Sequence, residues 1–321
     1  MAAALALVIL LVGCGSEATA SKQTAKQVAP EQTTGHATDT AGQTGRQRNT
    51  GLATDGHLVV AAGDIASCES QGDEATADLI ASIDGTVLAL GDEAYDEGST
   101  AEFRNCYDPT WGRFAARTKP TPGNHEYETA GAKGYFDYFG KAAGDPGKGY
   151  YSYDLGNWHL VSLNSNCEEI GGCDSSSPQV RWLKSDLAAS DERCILAYMH
   201  HPRFSSGEEH GSTPEVKPLW EALYAAGVDT VLSGHEHNYE RFAPQDPGGR
   251  ADPERGIREF VVGTGGKSHY AIVDPLSNSE VHNDDTYGIL ELTLYPNSYD
   301  WRFVPAEGGT FTDSGSARCR R

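Results

Sequence analysis

The chain has 321 residues, of which 46 are acidic and 25 are basic, so its formal net charge at pH 7 is −21. This length is enough to bury a sizeable hydrophobic core in one large domain or two small ones. The acidic surface disfavours binding to nucleic acids and anionic membranes, because both are polyanions. It does not exclude a small phosphorylated substrate, because bound metal ions can invert the local field.

The N-terminal segment, residues 1–14, is apolar and too short to cross a bilayer comfortably. Its end, Leu11-Val12-Gly13-Cys14, resembles the bacterial lipobox, in which the cysteine is lipidated and becomes the first mature residue. The resemblance implies an exported, cell-surface lipoprotein that contacts the membrane only through a lipid anchor at Cys14. A buried helix, or an ordinary signal peptide of a secreted protein, is the alternative.

Residues 15–56 are polar and contain almost no large apolar side chain. Such a segment cannot bury enough surface to offset its loss of conformational entropy. We expect a disordered tether over 15–56, followed by one folded domain over 57–321.

Six cysteines remain when Cys14 is set aside, an even number that suits disulfides in an exported protein. They allow fifteen connectivities. The expected pairs, the first from its short loop and the others by elimination, are Cys167–Cys173, Cys68–Cys106 and Cys194–Cys319.

Apolar runs alternate with helical patterns along residues 57–321, which is typical of an α/β fold. The predicted strands of the first part are 58–62, 86–90, 158–163, 194–199 and 229–232. The predicted helices between them are 73–83, 178–187 (with Ser177 as its N-cap and Pro178 in the first turn) and 215–226. The runs at 259–262, 288–294 and 299–304 have no helix between them and predict a second, more antiparallel sheet.

Five strand ends carry residues of the types that bind metal ions. Any one of these motifs is more often ordinary turn chemistry or chance than a site. In order, they are Gly63-Asp64, Gly91-Asp92-Glu93-Ala94-Tyr95, Gly123-Asn124-His125-Glu126, Met199-His200-His201 and Gly234-His235-Glu236-His237. Ligands bind at the carboxyl ends of strands in α/β sheets. All five together therefore predict a metal site.

These motifs resemble the calcineurin-like metallophosphoesterases, and within them the purple acid phosphatases, from Asp64 to about Cys319. The resemblance implies a four-layer α/β/β/α sandwich of two mixed sheets flanked by helices. It also implies a binuclear centre, in which Asp92 bridges two ions. The first ion would be bound by Asp64, Asp92, Tyr95 and His237, and the second by Asp92, Asn124, His200 and His235.

Tyr95 decides the subfamily. Related phosphoesterases place a histidine two residues after the first aspartate, where this chain has Ala66, and purple acid phosphatases instead place a tyrosine three residues after the second aspartate, as Tyr95 follows Asp92. A phenolate is a hard anionic donor. It implies Fe³⁺ paired with a divalent ion, either Fe²⁺, Zn²⁺ or Mn²⁺.

Three further histidines are candidate catalytic residues. By the same resemblance, His125 hydrogen-bonds the transferring phosphoryl group, and Glu126 is expected to orient its imidazole. His201 and His210 are candidates for protonating the leaving alkoxide, with a structural or surface role as the alternative for each.

The expected function is hydrolysis of phosphate monoesters by a metal-activated hydroxide, with a small phosphorylated substrate. A phosphodiesterase or nucleotidase using the same site is the first alternative, because pocket shape decides between these substrates. A non-catalytic lipoprotein that captures metal or phosphate is the second.

Overall fold

The computed structural model describes residues 56–321. The segment 1–14, the lipid anchor at Cys14 and all but the last residue of the tether lie outside the described residues and stay predictions. Within the described part, no helix has both the length and the apolar composition needed to cross a membrane.

The strands of the described part are numbered in chain order. They are β1 His57–Ala62, β2 Thr86–Ala89, β3 Thr118–Pro120, β4 Tyr151–Leu155, β5 Trp158–Ser162, β6 Cys194–Tyr198, β7 Thr230–Ser233, β8 Tyr239–Phe242, β9 Arg258–Val262, β10 Ser279–Asn283, β11 Gly288–Tyr295, β12 Ser298–Pro305 and β13 Ser314–Arg318.

The α-helices are α1 Gly72–Ala81, α2 Thr100–Glu102, α3 Asn124–Tyr127, α4 Lys133–Phe139, α5 Pro178–Ala189 and α6 Lys217–Ala226. Short 3₁₀ segments include Cys167–Ile170 and Pro214–Val216. Helix α5 begins as predicted, with the Ser177 side chain accepting a hydrogen bond from the Val180 N–H and Pro178 in the first turn.

Two mixed sheets form the centre of the domain. The first has the order β13-β12-β11-β1-β2-β3, and the second has the order β10-β8-β9-β7-β6-β5-β4. Strands β1, β2 and β3 are parallel in the first sheet, and β5, β6, β7 and β9 are parallel in the second. Because parallel neighbours end on the same edge, each sheet collects several strand ends at one edge.

Side chains alternate between two hydrophobic clusters across the second sheet. Leu196 of β6 and Leu232 of β7 belong to the larger cluster, which also takes in the first sheet, whereas Ile195 and Val231 pack with α5 and α6. Helix α1 contacts β11 of the first sheet. The result confirms the predicted four-layer α/β/β/α sandwich of two mixed sheets flanked by helices.

The prediction that the last three apolar runs, 259–262, 288–294 and 299–304, form a second, more antiparallel sheet is wrong. Strand β9 lies parallel to β7 inside the second sheet, whereas β11 and β12 are antiparallel neighbours that extend the first sheet from β1. The register joins His57 to Leu294, so the first described strand pairs with one near the end of the chain. Periodicity shows that a segment is a strand but carries no information on which distant strand it joins.

The three expected disulfides are present in the structure. They are Cys68–Cys106, Cys167–Cys173 and Cys194–Cys319. The Cα–Cα separations, 5.0 to 5.3 Å, lie in the normal range for disulfides.

Candidate metal centre

The predicted site residues follow strand ends of both sheets. Asp64 follows β1, Asp92 follows β2, Asn124 begins α3 just after β3, His200 follows β6, and His235 follows β7. Backbone hydrogen bonds hold two of these loops side by side, with the Asp64 N–H donating to the Gly91 carbonyl at 3.1 Å. The structure therefore brings together residues that are far apart in sequence.

A first group of donor atoms surrounds the Tyr95 hydroxyl. Its oxygen lies 3.0 Å from Asp64 Oδ1, 3.1 Å from Asp92 Oδ2 and 3.1 Å from His237 Nε2. His237 Nε2 is also 3.3 Å from Asp64 Oδ1. These four residues are the set expected for the first ion.

A second group surrounds His200, which is fully buried. Its Nε2 lies 3.1 Å from Asn124 Oδ1, 3.2 Å from Asp92 Oδ2 and 3.2 Å from His235 Nδ1. These four residues are the set expected for the second ion. The same oxygen, Asp92 Oδ2, belongs to both groups.

The imidazole rings of the two groups are oriented by hydrogen bonds on their far side. His200 Nδ1 lies 2.9 Å from the Leu90 carbonyl, which can only accept, so Nδ1 carries a proton and Nε2 is the nitrogen that would offer its lone pair to a metal ion after losing its own proton. His237 Nδ1 bonds to Ser268 Oγ at 2.7 Å. Such outer contacts are typical of metal-binding histidines, whose rings they orient. The donor atoms of both groups are nitrogen and oxygen, which fits metal ions that prefer these ligands.

Three of the site residues have a left-handed backbone, which is unfavourable for residues other than glycine. The φ angles are 59° at Asp64, 50° at Asp92 and 70° at His235. Conformations of this kind cost about 1–3 kcal/mol each and cluster at functional sites. Gly91 has φ of 86°, and a Cβ there would lie 2.5 Å from His200 Nδ1, so this position requires glycine.

Glu126 has a different role from the predicted one. It does not orient His125. Its buried carboxylate accepts backbone N–H bonds from Asp92 and Glu93 at 2.9 Å and from Gly123 at 2.7 Å. Glu126 therefore joins the loops that carry Asp92 and Asn124. The His125 imidazole instead donates from Nδ1 to the Asp96 carbonyl at 2.5 Å.

The protonation equilibria of the site reflect burial and close charges. Burial and the carboxylates of Asp64 and Asp92 raise the pKa of the Tyr95 phenol well above its usual value. Burial opposes ionisation of Asp92 as well, but His200 and His125 hold the pKa of Asp92 below its usual range. Burial also opposes protonation of His200, yet Asp92 and Asp64 raise the pKa of His200 to about 9. A phenolate at Tyr95 consequently requires a strong cation beside it.

The three candidate catalytic histidines all lie at the rim of the two donor groups. His125 Nε2 is 3.9 Å from Asp92 Oδ2, and the His125 ring packs at 4.5 Å from the Tyr95 ring. The ring centroids of His201 and His210 are 4.3 Å and 4.2 Å from that of His235.

Both rim histidines beside His235 favour the neutral form. Burial and the neighbouring His200 lower the pKa of His201 to about 3. Burial lowers the pKa of His210 as well. His201 Nδ1 bonds to Ser165 Oγ at 2.8 Å, which leaves Nε2 as the nitrogen available to a substrate.

Several contacts of the site were not predicted from the sequence. Ser268 bonds to His237, a proposed ligand, and Ser165 bonds to His201 at the rim. Tyr270 stacks on His237 at 3.9 Å, and Lys267 Nζ lies 4.7 Å from the Tyr95 ring centroid. Ser268, Tyr270 and Lys267 lie in one loop after β9. The Gly265-Gly266 pair was its only local signal, and that pair indicates a turn rather than a site.

Comparison with known sequences finds the same family that the motifs resemble. The sequence profile of the family described as calcineurin-like phosphoesterase matches residues 46–239, more than half of the chain. Purple acid phosphatase 15 of Arabidopsis thaliana is 28% identical over 262 residues, which cover 69% of this chain and 47% of that protein. Purple acid phosphatase 1 of Ipomoea batatas is 30% identical over 178 residues, covering 48% of this chain and 36% of that protein. The chain thus spans less than half the length of these relatives.

Solved structures show the same fold at low identity. A purple acid phosphatase from yellow lupin (Lupinus luteus) seeds superposes with a TM-score of 0.67 at 21% identity, over 82% of this chain and 54% of that one. GAP50, described as the anchor in the inner membrane complex of Plasmodium, superposes with a TM-score of 0.64 at 16% identity, over 83% and 90% of the two chains. At these identities the likeness establishes the architecture alone.

Proposed function

Because the chain belongs to the calcineurin-like phosphoesterase family, we propose that it hydrolyses phosphate monoesters at a binuclear metal centre. One observation carries the proposal. Seven side chains from distant parts of the sequence converge in two groups that share Asp92 Oδ2. Two donor sets with one common carboxylate suit a pair of ions bound side by side.

The ligand assignment follows the two groups. Asp64, Asp92, Tyr95 and His237 would hold one ion, and Asp92, Asn124, His200 and His235 would hold the other. The ions proposed are Fe³⁺ and a divalent Fe²⁺, Zn²⁺ or Mn²⁺. Two carboxylates and a phenolate leave such a pair with net positive charge, so the site still attracts a phosphate group.

When bound, the two ions would supply Lewis acidity and lower the pKa of water. The residues around them would position the substrate. His125 Nε2 lies 3.9 Å from Asp92 Oδ2 and, with both ring nitrogens carrying protons, would donate a hydrogen bond to a phosphoryl oxygen. His201 Nε2 and the His210 imidazole lie on the His235 side, where either would donate a hydrogen bond to the leaving oxygen and, in its protonated form, give that oxygen a proton. The bond from phosphorus to that oxygen breaks as the bond to water oxygen forms.

We propose that the domain acts outside the cytoplasm. Its three disulfides support this, because disulfides persist mainly in oxidising compartments. Attachment to a membrane through Cys14 remains part of the proposal and rests on the sequence alone.

The test is hydrolysis of p-nitrophenyl phosphate by purified protein loaded with iron, zinc or manganese, between pH 4 and 10. We expect phosphate release, with kcat/KM higher than for bis-p-nitrophenyl phosphate. Asn124→Ala should lower kcat/KM about 100-fold, because it removes one ligand, while Asn297→Ala, in an exposed turn, should match the wild type. Failure to release phosphate with any of the three metals would contradict the proposal. Faster cleavage of the diester than of the monoester would show that the enzyme is a phosphodiesterase instead.

A further inference from the structure

A cavity of about 370 Å³ opens beside the candidate metal centre. Asn124 and His201 form part of its wall, and the cavity runs from them between the segments Cys167–Ile170 and Pro214–Val216. Because Asn124 and His201 line the cavity, a phosphoryl group bound at the metal ligands would have this space beside it, within reach of its leaving group. The inference below rests on the proposed function and concerns the chemistry of that leaving group.

The charge of the cavity wall is entirely negative. Glu168 and Glu169 line one side and Glu215 lines the other. Of the described residues that line the cavity, none is lysine or arginine. Carboxylates are ionised at neutral pH, so the wall attracts a cation and repels a second anionic group on the substrate.

Asn166 adds a fixed acceptor to the same wall. The residue is only 8% exposed, and its Nδ2 donates to the Pro122 carbonyl at 3.1 Å and to Asn164 Oδ1 at 2.9 Å. Because both partners are oxygen acceptors, the orientation of the amide is determined. The remaining polar atom, Asn166 Oδ1, accepts no hydrogen bond from the described residues and is left for a donor in the cavity.

An aromatic ring completes the wall. Tyr127 is partly buried, and its hydroxyl oxygen accepts a hydrogen bond from Asn164 Nδ2 at 2.7 Å, which holds the ring in place. The face of a tyrosine ring attracts ammonium groups. The disulfide between Cys167 and Cys173 closes the loop that carries Glu168 and Glu169, so these carboxylates stand on a cross-linked segment.

We propose that this cavity selects phosphate monoesters whose alcohol carries a positively charged amine, with 2-aminoethyl phosphate as the simplest example. The ammonium group would lie among the three glutamates, donate to Asn166 Oδ1 and contact Tyr127. Hydrolysis forms a bond between water oxygen and phosphorus, breaks the ester bond, and transfers a proton to the departing oxygen. The products are inorganic phosphate and 2-aminoethanol.

The experiment compares kcat/KM of the metal-loaded wild type for three small monoesters of similar size. They are 2-aminoethyl phosphate, the neutral propyl phosphate and the anionic phosphoglycolate. We expect a preference of about tenfold for the cationic over the neutral substrate, and a weaker reaction with the anionic one. The preference should shrink between about 0.05 and 0.5 M NaCl, because salt screens exposed charges.

The combined variant Glu168→Gln, Glu169→Gln and Glu215→Gln should bring the ratio for cationic over neutral substrate close to one. Glu254→Gln, exposed and outside the cavity, is the matched control and should keep the wild-type ratio. Equal rates for all three esters in the wild type, or a ratio unchanged by the triple variant, would overturn the inference. If p-nitrophenyl phosphate is hydrolysed in that case, the proposed function stands, whereas loss of all hydrolysis in the wild type overturns both.

Discussion

At the scale of single residues, Tyr95 distinguishes this site from that of phosphoesterases with a histidine ligand two residues after the first aspartate. Its hydroxyl oxygen is within 3.1 Å of Asp64, Asp92 and His237, and the backbone at Ala66 is tied to the same loop by the Tyr95 N–H bond of 2.8 Å to the Ala66 carbonyl. Ala66 is buried and pairs with Ala94 as an isolated bridge. The small Ala66 side chain therefore packs between the two loops, where the related phosphoesterases place a histidine.

Tyr95→Phe tests the phenolate directly. Iron-loaded wild type should show a visible charge-transfer band, and the variant should lose it, because the phenolate oxygen is the donor of that transition. Tyr270→Phe is the control, since Tyr270 stacks on His237 but its hydroxyl belongs to neither donor group. A band of full intensity in Tyr95→Phe would show that Tyr95 is not a metal ligand. A protein that takes up only zinc and has no colour would support the calcineurin-like phosphoesterases in general but not the purple acid phosphatases.

At the scale of secondary-structure elements, one histidine joins three of them. His159 on β5 bonds through Nδ1 to Asp154 of β4 at 2.7 Å and through Nε2 to Asp186 of α5 at 2.9 Å. The Asp186 hydrogen bond, followed by the Asp154 bond and both charges, raises the pKa of His159 in spite of burial. Because two carboxylates can only accept, both ring nitrogens carry protons and the imidazole is a cation.

This contact predicts a pH-dependent stability. A histidine whose pKa is raised on folding binds its proton more tightly in the native state. Its stabilisation is complete below the unfolded-state pKa of about 6.5 and is lost as pH rises through the folded value. The free energy of unfolding in urea should therefore fall more steeply from pH 6 to pH 9 in wild type than in Asp186→Asn. Asp191→Asn, an exposed neighbour, should keep the wild-type slope, and identical slopes in all three proteins would exclude the contribution.

At the scale of the whole molecule, the sequence predicted the local elements better than their arrangement. Alternating runs located β1, β2, β6 and β7, and the Ser177-Pro178 signal located the start of α5. The pairing of β11 with β1 was missed, because it joins residues more than two hundred positions apart. Long-range register depends on packing that no local pattern encodes.

The contrast between local patterns and long-range contacts also explains which site residues could be predicted. Residues within compact motifs at strand ends, such as Asp92 and Asn124, could be proposed as ligands because those motifs carry the resemblance to a family, and the structure places them close together. The role of Glu126 was missed, because a carboxylate that bonds the backbone of a neighbouring loop looks the same in sequence as one that orients a side chain. The acceptor at Asn166 was missed for a related reason, since only the fold shows that its Nδ2 is already occupied.

The longest disulfide loop predicts a further property of the whole domain. Cys194 and Cys319 are separated by 125 residues and join β6 to the segment after β13, whereas Cys167 and Cys173 are separated by 6. In the chain-entropy model, the free energy lost with each bond is about 5 and about 2 kcal/mol, respectively. Urea unfolding of the paired alanine variants should show this order, and an equal or reversed order would show that chain entropy does not dominate here.

The proposed centre holds two metal ions per chain, and these ions share Asp92. Its most direct test is the number of ions retained per chain after metal loading and removal of free metal, measured by elemental analysis. We expect two ions in wild type, fewer than one in Asp92→Ala, and two in Asp78→Ala, whose side chain is exposed. A wild type that retains one ion or none, or an Asp92→Ala protein that retains two, would exclude a binuclear centre bridged by Asp92.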